Sequence, residues 1–539
     1  MKKEPARSIL VYDTTLRDGT QSEDVNFSLE DKLRIAEKLD ELGVHFIEGG
    51  WPSANPKDLK FFSEISARGL QSSKLVAFGA TRRKGLSPGK DEQLKSLARL
   101  PVKIATIVGK SWELHIRDVL NTGLDENLKM IRETVDYLVN RGKKVFFDAE
   151  HFFDGFRESK SYSLDCIAEA VDAGASLVCL CDTNGGAMPG EVERACREAL
   201  KLFSVKFGIH AHNDGGLAVA NSIIAVEEGA EMVQGTINGF GERCGNADLC
   251  ALLPNLSLKL HHQTIPRENL KKIRQTSHLV WELTNRPPES HQPFVGDSAF
   301  AHKGGQHIDA VLKNSRSYEH IDPGLVGNRR RILVSDQAGQ STILYKAREF
   351  GLKLDRNNPV VRAALAEVKK LESQGYEFEG AEASFELLLE KAHQKRKPYF
   401  NFKGFRVTDE KRPTDKVAHA EAAIMVEVEG RGVEHTAAEG VGPVNALDNA
   451  LRKALERFYP SLKQVQLVDY KVRVLPAGQG TASQVRVLVE STDGKDHWGT
   501  VGVSDNIIEA SWQALIDSVV YKLYKDEKKR KRKNAGKGK

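Results

Sequence analysis

The fold is decided by the unit that opens the chain, residues 8–50: SILVYDTTLRDGTQSEDVNFSLEDKLRIAEKLDELGVHFIEGG. Ile9–Tyr12 and His45–Glu48 are short apolar runs typical of buried strands. Between them, Ser28–Leu42 begins with a serine suited to an N-cap, and its apolar residues recur at helical spacing. The stretch therefore predicts a strand, a polar loop, an amphipathic helix and a second strand.

This alternation continues to about residue 260, with one strand and one helix in roughly every 30 residues. The further strand candidates are Leu75–Gly79, Val102–Val108, Lys144–Asp148, Leu177–Asp182, Gly208–His212 and Met232–Gly235. Eight strands and eight helices over about 250 residues indicate an α/β protein with a (β/α)₈ TIM barrel, here in residues 1–265. A doubly wound open sheet is the alternative, but it rarely carries eight such units.

Two further regions follow the barrel. Residues 266–396 read as helical and polar, and they are interpreted as linker subdomains. Residues 397–524 contain two similar halves, each with strands followed by one amphipathic helix, as in Val433–Phe458 and His497–Leu523. The sequence therefore predicts a C-terminal α+β domain made of two similar units.

The charge of the chain is unevenly distributed. The 539 residues carry a formal charge of +5, but residues 525–539 hold nine basic and two acidic side chains, which leaves −2 for the rest. The folded part is therefore not a basic body that seeks nucleic acid, and the tail is predicted to be disordered. No apolar run approaches the roughly 20 residues that span a bilayer. No signal-peptide pattern precedes the first strand, so a cytoplasmic protein with no membrane partner is expected.

The six cysteines are scattered and form no CxxC pair; they are Cys166, Cys179, Cys181, Cys196, Cys244 and Cys250. We expect reduced thiols buried as small apolar groups rather than a disulfide framework.

Polar residues gather where five of the eight predicted strands end. These clusters are Asp13–Gln21 after the first strand, Asp148 with Glu150 at the fifth, Cys181–Asn184 at the sixth, His210–Asp214 at the seventh and Gly241–Asn246 at the eighth. Because active sites of (β/α)₈ barrels are built at the C-terminal strand ends, this rim is the predicted site.

A metal centre is predicted from the pair His210 and His212. Residues two apart in a strand face the same side, so both imidazoles can reach one ion. Asp18 can supply a carboxylate, because the eighth strand closes beside the first, and Asn246 can add a neutral oxygen. The alternative is that the two histidines are ordinary polar residues at a strand end.

The remaining rim residues suit an anionic substrate. Arg17 presents five donors and a permanent charge beside Asp18, which fits a carboxylate or a developing oxyanion, although it can instead close a salt bridge at the rim. Thr183 adds a hydroxyl and Glu150 a carboxylate. Together these residues indicate a site for a small oxygen-rich acid on a divalent cation.

Several motifs resemble one enzyme family. DTTLRDGTQ at the first strand, HAHND at the seventh and GERCGNADL at the eighth resemble the metal-dependent Claisen-condensing barrel enzymes, the family of α-isopropylmalate, homocitrate and citramalate synthases. The resemblance continues through Ala299–Pro323 and into GVGPVNALDNAL, which is similar to the regulatory, LeuA dimer-like domain of the family. It covers nearly the whole chain except the tail.

The resemblance implies a role for each candidate residue. Those implied as metal ligands are Asp18, His210, His212 and Asn246. Those implied to hold the 2-oxo acid are Arg17 and Thr183, with Glu150 in the substrate pocket and Glu242 near the acetyl group. His307 and Tyr318 match linker residues that in the family reach over the partner subunit's barrel, which implies a homodimer. His307 is preferred over His302 because of its spacing to Asp309 and Lys313.

The resemblance also implies the reaction. A divalent ion, Mg²⁺ or Mn²⁺ with Zn²⁺ left open, holds a 2-oxo acid. A base, with His307 assisted by Tyr318 or Glu242 as the candidate, removes a methyl proton from acetyl-CoA, and water then cleaves the thioester. The C-terminal domain implies feedback inhibition by isoleucine, with a dimerisation module that binds no effector as the alternative.

The substrate prediction depends on residues 48–58, EGGWPSANPKD. This segment resembles the corresponding segment in the branch of the family that condenses pyruvate. Trp51 would narrow the site against a branched side chain, although it can also be simple rim packing. We expect pyruvate as the substrate and a role in isoleucine synthesis; the alternative is 3-methyl-2-oxobutanoate, for leucine. Two other classes stay open: a non-haem iron oxygenase using the two-His, one-carboxylate set, and a carbon–carbon lyase.

Overall fold

The computed structural model describes residues 6–393, 398–413, 416–475 and 483–537, with side chains described as far as residue 531. These residues form two compact units. The first contains the chain up to Phe300 together with His320–Arg330, and the second contains Ala301–Glu319 together with the chain from Arg331 onward. The domain boundaries given above, after residues 265, 396 and 524, stay a prediction.

The first unit is a closed barrel of eight parallel strands, which confirms the predicted fold class. The strands are β1 Leu10–Asp13, β2 Phe46–Glu48, β3 Lys74–Ala80, β4 Ile104–Lys110, β5 Lys144–Glu150, β6 Leu177–Asp182, β7 Lys206–Ala211 and β8 Met232–Gly235. β8 pairs with β1 in parallel, with Val233 opposite Val11, and this pairing closes the sheet. The open-sheet alternative is therefore excluded.

Helices surround the barrel and alternate with its strands. They are α1 Leu29–Leu42, α2 Pro56–Arg68, α3 Glu92–Arg99, α4 Leu124–Val139, α5 Phe152–Glu158, α6 Lys160–Asp172, α7 Pro189–Leu202, α8 Ala218–Glu227, α9 Leu249–Pro254 and α10 Ile273–Leu283. α1 begins as predicted: the Asp31 N–H donates to the Ser28 hydroxyl, and the Ser28 N–H donates to the Asp31 carboxylate. Gly43 ends the helix in the left-handed conformation, at φ +90°.

The barrel interior changes from apolar to polar toward the C-terminal strand ends. Large apolar side chains fill its lower part; they are Tyr12, Phe46, Val76, Ile104, Phe146, Leu177 and Met232. Two residues further along four of these strands lie Glu48, Thr106, Asp148 and Gln234, all buried. Because residues two apart on a strand face the same side, these four form a polar layer directly beneath the strand ends. The layer is the floor of the site described below.

The second unit combines helices with two antiparallel sheets. The two-residue strands β9 Ala301–His302 and β10 Arg331–Ile332 pair in parallel, and the helices are α11 Gly305–Lys313, α12 Gln340–Glu349, α13 Pro359–Ser373 and α14 Glu382–His393. One sheet contains β11 Asn401–Glu410, β12 His419–Val428 and β13 Gly432–Gly440, and α15 Pro443–Glu456 follows it. The other contains β14 Gln466–Val474, β15 Val485–Thr492 and β16 His497–Ser504, followed by α16 Ile507–Lys537. This repeat confirms the two similar C-terminal units.

The structure differs from the prediction of a disordered tail from residue 525, because α16 continues to Lys537. Acidic side chains from earlier elements bind the basic run. Lys525 lies 3.1 Å from Asp493 and 3.0 Å from Asp496, and Lys528 lies 2.9 Å from Glu386. These ion pairs offset the repulsion among the lysines and favour the continued helix.

All six cysteines are free, as predicted, and five are buried. Cys244 is the exception: it is exposed, because it lies in the turn after β8 rather than within a packed element. Within the described ranges, no helix combines the length and the apolar character that crossing a membrane requires. The cytoplasmic location stays a prediction.

Candidate active site

The C-terminal ends of the barrel strands surround a cavity of about 890 Å³. Seven of the predicted residues line it: Arg17, Asp18, Glu150, Thr183, His210, His212 and Glu242. These seven residues come from the polar clusters that the sequence places at the strand ends, and their roles stay a prediction. Trp51, Phe78, Lys110, Asp148 and Arg243 line it as well.

The predicted metal ligands come together at one side of this cavity. Asp18, His210 and His212 are buried, and their ligand atoms all lie within 4.8 Å of one another. Asp18 Oδ2 is 3.4 Å from His210 Nε2 and 3.9 Å from His212 Nε2, and Asn246 Nδ2 is 3.4 Å from His210 Nε2. The prediction that both histidines lie on the strand is wrong for His212. β7 ends at Ala211, and His212 instead pairs with Asn246 in an isolated bridge.

The donor atoms of this cluster fit a divalent cation. Among the described residues, Asp18 Oδ1 and Asn246 Oδ1 are buried oxygens without a hydrogen-bond partner. Buried polar atoms are almost always paired, so the unpaired Asp18 oxygen beside two imidazoles indicates a site for a positive ligand. Two nitrogens, a carboxylate and an amide oxygen are a donor set that divalent metals accept.

The surroundings of Asp18 and His212 favour the forms of these two residues that bind metals. Burial raises the pKa of Asp18, but the Arg17 charge outweighs it and holds that pKa well below its usual range. Burial, together with the His210 charge, lowers the pKa of His212 to about 3. Asp18 is therefore a carboxylate and His212 a neutral imidazole, which are the forms that bind metals.

Arg17 is fixed by two carboxylates. Its Nε donates to Glu48 Oε2 at 2.6 Å, its Nη1 lies 3.2 Å from Asp18 Oδ2, and its guanidinium lies 4.0 Å above the Phe78 ring. Glu48 also accepts a hydrogen bond from the Tyr12 hydroxyl at 2.6 Å. The predicted rim salt bridge is therefore present. Nη2 takes part in neither ion pair, so the same guanidinium can still bind an anion in the cavity.

Thr183 is oriented by a residue that the sequence analysis did not identify. Its Oγ1 accepts a hydrogen bond of 2.9 Å from the backbone N–H of His151, which has a left-handed conformation at φ +58°. The hydroxyl oxygen is therefore used as an acceptor, and its proton stays free to be donated toward the cavity. A positive φ at a non-glycine residue has no reliable sequence signal, so His151 was missed.

The other acidic rim residues have basic neighbours. Glu150 forms an ion pair with Lys110, and both side chains line the cavity. Glu242 is 61% exposed and lies 3.8 Å from Arg243, which also donates to the Thr183 carbonyl at 2.7 Å. Lys110 and Arg243 add positive charge to the wall. Lys110 was not predicted, because the fourth strand was expected to end at Val108.

Trp51 is both a packing residue and part of the cavity wall. Its ring meets the Phe78 ring edge-on at 5.3 Å, and its indole N–H donates to Gln93 at 2.9 Å. Gln93 also donates to the Ala80 carbonyl at 3.0 Å, so the indole is held in place.

His307 and Tyr318 lie together in the second unit, apart in sequence from the residues of the cavity. Their rings stack with centroids 4.1 Å apart and planes 24° from parallel, and both side chains are exposed. His302 is instead buried and lies 3.2 Å from Glu319. The stacked pair is consistent with a shared role, while the roles of both residues stay a prediction.

The fold and the site define a (β/α)₈-barrel protein with a candidate divalent-metal centre beside an anion-binding arginine. Three family models match the chain in succession: HMGL-like over residues 8–280, homocitrate synthase post-HMGL domain-like over 294–376, and LeuA allosteric (dimerisation) domain over 379–523. The chain belongs to the HMGL-like family, in the group that carries a LeuA domain.

Relatives match over nearly the whole chain. An (R)-citramalate synthase of Geobacter sulfurreducens is 55% identical over 96% of this chain and 98% of its own length. One of Aquifex aeolicus is 54% identical over 97% of this chain and 99% of its own length. A 2-isopropylmalate synthase of Bacillus licheniformis is 34% identical over 95% of this chain and 96% of its own length.

Proposed function

We propose that the chain is an (R)-citramalate synthase, an acyltransferase that condenses acetyl-CoA, pyruvate and water to citramalate and CoA. One observation carries the proposal: five relatives of that name are 46–55% identical to the chain over 96–97% of its length. Two relatives named as 2-isopropylmalate synthase, one of them as probable, are 34% and 32% identical. The family resemblance expected from the motifs is confirmed.

The metal centre of this reaction would consist of Asp18, His210, His212 and Asn246. A divalent cation held there supplies a Lewis acid for the keto oxygen of pyruvate. We propose Mg²⁺ or Mn²⁺, because the Asp18 and Asn246 oxygens suit hard cations, while the two imidazoles leave Zn²⁺ open.

Arg17 and Thr183 hold the carboxylate of pyruvate in this proposal. The Arg17 guanidinium cannot swing away, because Glu48 and Asp18 fix two of its nitrogens. Its remaining donor and the free proton of the Thr183 hydroxyl can therefore meet a carboxylate at a set position. The same guanidinium stabilises the negative charge that develops on the keto oxygen. Glu150, paired with Lys110, completes the polar wall of the pocket.

The base that removes the methyl proton of acetyl-CoA is proposed to be His307. Its stacking on Tyr318 restricts the imidazole, and the ring is exposed. Glu242, exposed at the cavity mouth, is the second candidate and is proposed to lie near the acetyl group. The LeuA dimerisation domain indicates a homodimer. We propose that His307 and Tyr318 complete the barrel site of the other subunit.

Isoleucine is the proposed effector, acting through the LeuA allosteric domain. An end-product inhibitor that binds the second unit would match a pathway in which citramalate leads to isoleucine. Comparison of isoleucine with leucine as inhibitors of the full-length enzyme would test the assignment. Inhibition by neither amino acid would leave a dimerisation module as the function of this domain.

The proposed function is tested by release of CoA, followed with a thiol reagent, in the presence of acetyl-CoA and a divalent ion. We expect kcat/KM for pyruvate to exceed that for 3-methyl-2-oxobutanoate by about 10-fold or more, since pocket size discriminates by about 1–3 kcal/mol per methylene. A preference for the branched acid would instead identify a 2-isopropylmalate synthase. No CoA release with any 2-oxo acid would exclude a condensing enzyme.

A further inference from the structure

A buried amide in the polar layer connects the metal centre to an acidic residue beneath it. Gln234 on β8 is fully buried, and neither it nor Asp148 has a role in the function proposed above. Gln234 Nε2 lies 3.1 Å from Asp148 Oδ1, and Gln234 Oε1 lies 2.9 Å from Nδ1 of His210. The three side chains form one continuous hydrogen-bonded row from β5 to β7.

The chemistry of this row determines where the proton of His210 lies. Gln234 Nε2 faces Asp148 Oδ1, and because an NH₂ group only donates hydrogen bonds, Asp148 accepts this one. The carbonyl oxygen of the same amide then faces His210, and it can only accept from an Nδ1–H. Nε2 is consequently the nitrogen with the lone pair, and the Asn246 Nδ2 donor lies 3.4 Å from it.

His212 has no such arrangement. Within the described part of the chain, its Nδ1 is a buried nitrogen without a hydrogen-bond partner. The two histidines are therefore unequal: the tautomer of His210 is fixed by the protein, and that of His212 is not fixed by a protein hydrogen bond.

We propose that Asp148 and Gln234 are positioning residues that hold His210 in the tautomer whose Nε2 binds the divalent ion. The proposal rests on the metal-dependent function proposed above. Groups that hydrogen-bond to the far nitrogen of a histidine ligand fix its ring and tautomer, and their loss typically weakens metal binding by about 10–100-fold. If the Gln234 amide were reversed, His210 Nδ1 would accept from its NH₂ group and Nε2 would carry the proton, which disfavours metal binding.

The test measures the Kd of the purified full-length protein for Mn²⁺ by calorimetry, without substrates. Gln234→Leu keeps the approximate size of the side chain but removes both hydrogen bonds, and we expect its Kd to rise about 10–100-fold. Asn221→Leu is the matched control, because Asn221 is also a buried amide but donates to the Ala187 carbonyl outside the cavity. Its Kd should be unchanged.

Two isosteric variants test which groups donate and which accept the hydrogen bonds of the row, without a change in side-chain size. Gln234→Glu alone sets two carboxyl groups against each other and should weaken Mn²⁺ binding. In the double variant Asp148→Asn/Gln234→Glu, the new amide at position 148 can donate to the new carboxylate at position 234, which still accepts from His210 Nδ1. We expect the double variant to regain a Kd within about 3-fold of the wild-type value, a recovery that only direct coupling produces.

The possible results distinguish failure of this positioning role from failure of the proposed function. An unchanged Kd in Gln234→Leu, with Mn²⁺ bound by the wild-type protein, would overturn the positioning role alone. If Gln234→Leu fails to fold, the isosteric pair decides, and no recovery in the double variant would overturn the proposal. Absence of Mn²⁺ binding by the wild-type protein would overturn both the metal centre and the role assigned to Gln234.

Discussion

The charged residues of the cavity are held by buried partners rather than left free. Glu48 and Asp18 fix Arg17, and Lys110 pairs with Glu150. Because these charged groups are already oriented by their partners, little rearrangement of the site is needed during the reaction. In the proposed function, the site is therefore preorganised for one anionic group beside one cation, and single substitutions should have separable effects on ion and substrate.

The first prediction concerns the metal centre. His212→Ala removes a neutral, buried imidazole from a set of four donors, so the purified protein should lose its bound divalent ion, as measured by elemental analysis. His291→Ala, which changes an exposed histidine, should retain it. Full retention of the ion in His212→Ala would show that the cluster is not the metal site.

The second prediction concerns substrate choice. Trp51→Phe replaces the indole by a smaller ring and removes the hydrogen bond to Gln93. The cavity next to Phe78 should therefore become wider. We expect kcat/KM for 3-methyl-2-oxobutanoate relative to pyruvate to rise about 10-fold. Trp112→Phe is the control, since Trp112 bonds with Glu158. An unchanged ratio in Trp51→Phe would mean that Trp51 only packs the rim.

Among single residues, the sequence allowed prediction of those polar side chains that lie at or just beyond the end of a strand. His210 and Asp18 could be identified because two strand ends bring a histidine pair and a carboxylate to one side of a closed barrel. Glu48, Gln234 and His151 could not. Their roles depend on partners on other strands or on a left-handed backbone, and neither appears in local sequence patterns.

At the scale of elements, α16 shows how distant contacts extend a helix. Lys522 is buried and lies 3.0 Å from Asp493, which follows β15 in sequence. Burial raises the pKa of Asp493, but hydrogen bonds from the Asp496 N–H and from Lys522 and Lys525 outweigh it and hold that pKa well below its usual range. Ion pairs thus hold the helix against the turn that follows β15.

The third prediction follows from the pKa of Asp493. Because that pKa is depressed in the folded state, its contribution to stability is present above about pH 4 and is lost as the pH falls further. Asp493→Asn should lower the free energy of unfolding by about 2 kcal/mol at pH 7, and by less at pH 3. Denaturant titrations at the two pH values measure the difference. An equal loss at both would contradict the charge-based account.

The elements were predictable where periodicity and caps agreed, as in α1 with its capping box at Ser28. The ends of elements were less predictable. β7 ends at Ala211 because His212 pairs with Asn246, a residue that follows β8 in the sequence. The continuation of α16 past residue 525 was missed for a similar reason. Its stabilising partners lie about 30 residues earlier, at Asp493 and Asp496.

At the scale of the whole molecule, a helix of the predicted linker shares a core with a strand of the predicted C-terminal domain. Helix α14 packs into one core with β16, in which Phe385 and Leu389 lie among Val501 and Val503. Ser384 also donates to Asp517 of α16 at 2.6 Å. The second compact unit therefore contains helices α11 to α14 together with the C-terminal sheets.

The fourth prediction tests this continuity. A chain that ends after His393 keeps α14 but lacks β16 and α16, so the apolar face of α14 would be exposed to water. We expect this truncated protein to bind a hydrophobic dye strongly and to lose the cooperative unfolding of its second unit in calorimetry. A retained cooperative transition would show that the linker helices fold independently.

The most direct test of the central claim is the product formed from acetyl-CoA and isotopically labelled pyruvate after removal and re-addition of a divalent ion. Chiral chromatography with mass detection would measure citramalate beside free CoA. The proposed function predicts (R)-citramalate in equal amount to CoA, with neither formed until the ion is restored. CoA release without citramalate, or citramalate formed equally well without the ion, would contradict it.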